Sequence, residues 1–325
     1  MKHQLKIALF LVILFVLAQI AGLAVTLSYK KYYLGGEKVE VKETKENITK
    51  NLSITKEFIP EKVEIRSGFD VFQLVASFLI AIVIATVVFI ILMNVGVIRF
   101  MRAWFFLIVV IGLFISFSLL FINFVFVKIK IGDYYFSIAE IIALILAIAL
   151  AYYKTYKRDI IIHNITEIFV YPGIVILFLP LVNIIVVVVL LLLISIYDFI
   201  AVFKTKHMQK MAKFMIKDVR TFSGIMLPYL SREELKKIKR IDRRGKGMKV
   251  KVSLAVLGGG DIAFPMLLSS TALLSYGIIS SIFIIVFAVI SLFLLLLLGE
   301  KGKAYPALPP LAIGSLFGLL LSLIF

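Results

Sequence analysis

Long apolar runs separated by short polar breaks dominate the 325-residue chain. Nine of them fall at about 5–28, 71–96, 104–127, 134–153, 160–179, 182–203, 252–273, 278–298 and 306–325. Each is long enough to cross a hydrocarbon core roughly 30 Å thick as a helix. The runs show no period-two alternation of polar and apolar residues, which argues against an outer-membrane barrel. The pattern predicts an all-α polytopic membrane protein of nine transmembrane helices. The first run begins with Lys2 and Lys6 and lacks a small-residue cleavage site, so it reads as a retained signal-anchor.

Charge gives the spans a direction. With the N-terminus inside, the inner segments hold Lys2 and Lys6, Arg99 and Arg102, Lys154, Lys157 and Arg158, the stretch 204–251, and Lys301 and Lys303. The stretch 204–251 carries 16 basic and 4 acidic residues, whereas 30–70 carries nine basic and eight acidic ones. The turns near Pro180 and Tyr276 carry none. This bias predicts N-terminus inside and C-terminus outside. It also accounts for the net charge of +17 without a nucleic-acid partner. There is no cysteine and only three scattered histidines, His3, His163 and His207. Disulfides and thiol chemistry are excluded, and no metal site or cofactor is expected.

The expected organisation has four parts. Residues 1–181 form a five-span half with an external loop at 30–70. Residues 182–203 form the sixth span, 204–251 a basic cytoplasmic loop, and 252–325 spans seven to nine. The external loop carries two glycosylation-type tripeptides, at Asn47 and Asn51. Within the basic loop, "TFSGIMLPYL" (221–230) is an apolar interruption. It reads first as a piece lying on the anionic leaflet, and second as a flap near a substrate entry.

Acidic residues inside the spans are the candidate chemistry. A carboxylate at the bilayer centre costs at least about 2.5–3.5 kcal/mol and usually faces a cavity or a partner. Four spans carry one: Glu140, Glu167, Asp198 and Asp261. Asp198 precedes Lys204 by six residues, about 9 Å at the helical rise, and Asp261 lies ten residues beyond Lys251, about 15 Å. The two reach comparable depths on consecutive spans and meet if the spans are neighbours. Two carboxyls sharing a site hold one proton between them. The ionised one then activates water while the protonated one polarises a carbonyl. Gly258, Gly259 and Gly260 precede Asp261 and permit unusual backbone angles and close approach. Pro265 adds a kink. Loosened backbone there could pair with an extended peptide by strand addition. At the start of the ninth span, Pro306, Pro309 and Pro310 are expected to hold the chain extended. The plain alternative is a proline-rich first turn.

"IYDFIAV" (196–202), "GGGD" (258–261) and "PALP" (306–309) resemble the YD, GxGD and PAL motifs of the presenilin and signal peptide peptidase family of nine-span intramembrane aspartyl proteases. The motif-bearing part covers about 182–325, and the first five spans match only in number. The resemblance implies that Asp198 and Asp261 are the catalytic pair, with Tyr197, Gly258, Gly259 and Gly260 beside them. Pro306, Ala307, Leu308 and Pro309 would then shape the site and seat the substrate. "GGGDIAFP" leans towards the signal peptide peptidase branch, whereas an inside N-terminus is presenilin-like. The expected substrates are single-span helices or remnant signal peptides with an outside N-terminus, cleaved in the bilayer. The expected source is a microbial, archaeal cell membrane, and a homo-oligomer is a possible assembly.

A secondary transporter or cation channel also uses intramembrane acids and broken helices, but no internal repeat is visible. Prepilin-type peptidases share a GxGD acid and lack the proline element. Glu140 and Glu167 are expected to pack against other spans, protonated or hydrogen-bonded. Asn94 and His163 read as ordinary polar residues near span ends, Pro172-Gly173 as a kink, and the basic clusters as topology signals.

Overall fold

The computed structural model describes residues 2–34, 50–51, 54–125, 127–131, 134–157, 159–205, 211, 214–219, 221–229, 253–299 and 305–324. The Asn47 tripeptide, most of the Asn51 one and much of the basic loop lie outside these residues. The long helices are α1 (Lys2–Tyr29), α3 (Gly68–Val95), α4 (Ile98–Phe121), α5 (Ile138–Tyr152), α6 (Ile160–Phe178), α7 (Ile184–Ile200), α8 (Gly259–Ser275), α9 (Ile278–Leu298) and α10 (Leu308–Ser322), with a short α2 at Ile54–Phe58. Seven of the long helices, with their flanking turns, are apolar and long enough to cross a membrane; α8 and α10 are shorter. The chain is a mostly helical, polytopic integral membrane protein.

Local chemistry sets the helix ends. Ser67 and Asp70 form a reciprocal capping box that opens α3. Gly96, at φ 74°, closes that helix. Asp159 accepts the Ile161 and Ile162 N–H groups to start α6, and Asn183 accepts that of Val186 to start α7. Helix α1 lies inside the bundle against α6, α8 and α9, while α3 packs lightly at the edge and buries only Val75. Gly173 lets α6 approach α4 closely, because a Cβ there would overlap the Gly112 backbone. The Pro172-Gly173 pair thus has a packing role beyond the expected kink.

Several boundaries differ from the hydrophobic pattern. The third helix starts at Ile98, so Arg99 and Arg102 belong to its first turns rather than to a loop. It ends at Phe121. The following Lys128–Ile131 (β2) and Tyr134–Ser137 (β3) form an antiparallel pair, with Lys50–Asn51 (β1) parallel to β3. Lys and Ile alternate through β2, a period-two signal too short to stand out between apolar runs.

The larger difference concerns Asp261. Residues Ser253–Gly258 form a strand, β5, paired antiparallel with Gly224–Tyr229, β4. The fold is therefore not purely helical, and Asp261 sits in the first turn of a helix rather than ten residues into one. The helical rise does not apply to the preceding six residues.

Candidate active site

Three helix ends converge. Helix α8 packs against both α7 and α10, and α7 packs against α10. Asp198, two residues before the end of α7 at Ile200, is 5% exposed. Asp261 is partly buried in the first turn of α8. The two carboxyls lie within electrostatic range of each other. No salt bridge joins either of them to a cation among the described residues.

Each carboxyl is held by one oxygen. Asp261 Oδ2 accepts the Gly258 N–H at 3.2 Å. Asp198 Oδ2 accepts the Leu308 N–H at 3.4 Å. The second contact explains the proline motif. Pro309 and Pro310 are helical, inside the first turn of α10, so they do not hold the chain extended. They have no N–H to offer, and the Leu311 N–H is taken by the Ala307 carbonyl. Leu308 therefore supplies the only N–H donor of that turn facing outwards, at the positive end of the helix dipole, and it points at Asp198. Pro306 is buried just before it, and Ala307 is the N-cap.

The glycines also work differently from expectation. None of Gly258, Gly259 and Gly260 has a positive φ, and Gly258 is ordinary extended backbone at φ −66°, ψ 151°. Space matters at Gly259: a Cβ there would lie 2.8 Å from both the Tyr171 hydroxyl and Ser223 Oγ. Gly260 is exposed, with only the Phe264 ring near it. Tyr197 is 46% exposed on α7, turned away from its buried neighbour Asp198. The structure brings together Asp198, Asp261, Gly258 and Leu308; it does not bring Tyr197 into that group.

Residues that the sequence left aside surround the pair. "TFSGIMLPYL" supplies strand β4, not a leaflet-bound piece, over the residues described. His163 Nε2 donates to the Gly224 carbonyl at 2.9 Å. Asn164 grips Met226 twice, donating to its carbonyl at 2.8 Å and accepting its N–H at 3.0 Å. Gly224 has φ 139°, a conformation that favours glycine. One turn further along α6, Glu167 is fully buried and pairs with Lys154 at 2.5 Å, with His163 Nε2 3.7 Å away. Lys154, read as a topology signal, is 4% exposed and belongs to the interior. Another turn on, the Tyr171 hydroxyl lies 3.3 Å from Ser223 Oγ. His163, Glu167 and Tyr171 recur every four residues, one face of a helix. That period is visible in "HNITEIFVY" (163–171) as polar residues at every fourth position of an apolar run.

Glu140 is buried and accepts the Thr55 N–H at 3.1 Å, in keeping with its expected structural place. Arg102 donates twice to the Val219 carbonyl, so it holds the inter-span segment rather than only marking a side. Gln19 on α1 donates to the Ile262 carbonyl at 3.1 Å, next to Asp261.

Fold and site together describe a polytopic membrane protein with a pair of carboxyls sequestered among helix ends. A family model described as signal-peptide peptidase, presenilin aspartyl protease matches residues 61–325, and the chain belongs to that family. It is an intramembrane aspartic endopeptidase. The fold is similar to that of a presenilin family intramembrane aspartate protease solved in the C222 space group, with a TM-score of 0.59 at 18% identity over 98% of both chains. The P2 form gives 0.58 at 17% identity over 97% of both chains. No curated protein sequence matched the chain. The transporter reading finds no support in these comparisons.

Proposed function

We propose that Asp198 and Asp261 are the catalytic dyad that hydrolyses peptide bonds of single-span helices or remnant signal peptides. The observation that carries this is the placement of two carboxyls within electrostatic range, with no salt bridge to a cation among the described residues and each tied by one oxygen to a backbone N–H. The remaining oxygens, both Oδ1, are left for the shared proton and a water. The ionised carboxyl takes a proton from water as its oxygen attacks the scissile carbonyl carbon. The protonated carboxyl donates to the carbonyl oxygen. Collapse of the tetrahedral adduct then breaks the C–N bond, and the leaving amine takes up a proton.

Strand addition supplies the extended substrate. In an antiparallel pair, alternate residues turn both backbone groups away from the partner. Met226 gives both of its groups to Asn164, so its partner Val256, and Leu254 with it, turns outwards on the far side of β5. The outer edge of β4 is filled by His163 and Asn164 and ends at Pro228, which has no N–H. The outer edge of β5 leads to Gly258, whose N–H binds Asp261. A peptide that adds to β5 would run towards the dyad. Tyr197, exposed on α7 and outside the group at the dyad, would reach substrate only along the outer face of that helix.

Nine spans with an inside N-terminus fit the contacts at the two bundle ends. Val63 donates to the Pro180 carbonyl, and Thr55 to Glu140, at the end expected outside. Arg102, Lys154 and the β4–β5 pair gather at the other. This orientation favours substrates whose N-terminus is outside. Purified protein should cleave a single-span reporter, and Asp198→Asn and Asp261→Asn should each abolish cleavage; survival of cleavage in either variant would overturn the dyad. Accessibility of terminal tags in sealed vesicles tests the orientation, and an external N-terminus would overturn it.

A further inference from the structure

Asn164 is an unusual residue for its position. It is 6% exposed in the first half of an apolar helix, yet among the described residues it makes no bond to another side chain. Both of its amide groups go to one backbone residue, Met226. It does for β4 what a neighbouring strand would do: it accepts one N–H and donates to one C=O. His163, one residue earlier, holds the Gly224 carbonyl two residues back along the same edge. The spacing matches, because residues i and i+2 of a strand face the same side.

Among the described residues this edge has no other hydrogen-bond partner, and β4 is otherwise held by packing, with Ile225 fully buried in the core. The sheet has only two strands among the described residues, and an isolated two-stranded pair is marginal by itself. Pairing with β4 in turn holds β5, whose last residue, Gly258, caps α8 and binds Asp261. Helix α6 is thus connected to the dyad through backbone hydrogen bonds: Asn164 to Met226, β4 to β5, Gly258 to Asp261.

We propose that Asn164, seconded by His163, is a positioning residue that keeps the β4–β5 sheet assembled on α6, so that the outer edge of β5 is formed before substrate arrives. This rests on the reading that substrate adds to β5. Without Asn164 the sheet must be ordered during binding, and the ordering is charged to affinity. Losing two hydrogen bonds corresponds to about a tenfold effect.

The cysteine-free chain makes a direct test available. Met226 and Val256 face each other as a non-hydrogen-bonded pair, the closer of the two antiparallel geometries and one a disulfide can span. Met226→Cys/Val256→Cys should cross-link readily under mild oxidation, without substrate, and the yield should fall when Asn164→Ala is added. In reporter cleavage, Asn164→Ala alone should raise KM about tenfold with kcat changed by less than about threefold. The oxidised cysteine pair should restore KM in the Asn164→Ala background to within about threefold of the same pair with Asn164 intact, and reduction should undo the rescue. Asn164→Asp, which keeps only the acceptor, should give an intermediate KM, and it carries the test should Asn164→Ala fail to accumulate. An unchanged cross-linking yield would overturn the mooring. A lowered yield with unchanged KM would overturn the link to substrate and, with it, addition at β5. An effect on kcat alone, or a KM that the disulfide does not rescue, would overturn the positioning role.

Discussion

Two pairs of ionisable groups lie near one end of this bundle, and they are built in opposite ways. Lys154 and Glu167 form a matched pair at 2.5 Å, both buried. Asp198 and Asp261 have like charge, no salt bridge to a cation among the described residues, and one backbone N–H each. A carboxylate given its own lysine is neutralised and inert. Two carboxyls that share a site titrate as a coupled pair, and the proposed dyad uses the state with one proton between them, one base beside one acid. The first arrangement holds helices together; the second is suited to hydrolysis.

The contrast is broken most severely at the dyad. Asp198→Asn or Asp261→Asn should lower reporter cleavage at least about 100-fold, while the unfolding midpoint in detergent stays within a few degrees of the parent. Next comes the matched pair. Glu167→Gln leaves Lys154 buried without its counter-charge and should cost about 3–5 kcal/mol, read from denaturant unfolding; adding Lys154→Met should recover most of it. Gly259→Ala follows, because its Cβ would press on Tyr171 and Ser223. It should cost about 1–3 kcal/mol and lower activity, whereas Gly260→Ala, whose Cβ would meet only the Phe264 ring at an ordinary 3.7 Å, should be neutral or gain up to about 1 kcal/mol. The smallest effect on stability belongs to Tyr197→Ala: at an exposed position it should change unfolding by no more than about 0.5 kcal/mol, with any loss of activity appearing in KM.

The membrane-spanning character and the candidate acid pair were legible for the same reason: apolar length and intramembrane acids are signals that survive without tertiary context. Asp198 and Asp261 stood out because a carboxylate in such a run demands an explanation. Strand β5 did not stand out, since "SLAVLG" is apolar and continuous with the following helix, and a buried strand has no alternation to reveal it. Its partner "GIMLPY" looked like an amphipathic loop piece until His163 and Asn164 were seen to hold its edge. Charge counting reads Lys154 as a topology marker because it cannot tell a lysine in water from one paired with Glu167. The proline pattern alone reads as extended chain, whereas Pro309 and Pro310 sit in a first turn and leave Leu308 as its one outward donor. In each case the missing information was the partner across space, not the residue itself.

The central claim is that the two pairs have separate duties, and the pH–rate profile of reporter cleavage tests it most directly. It would be measured for the parent and for the Lys154→Met/Glu167→Gln double variant, normalised to folded protein. The predicted result is a bell-shaped kcat profile in both, with both limbs at the same pH, because the shared proton belongs to Asp198 and Asp261 alone. A limb that moves or disappears in the double variant would contradict the account, since Glu167 or Lys154 would then be part of the titrating unit.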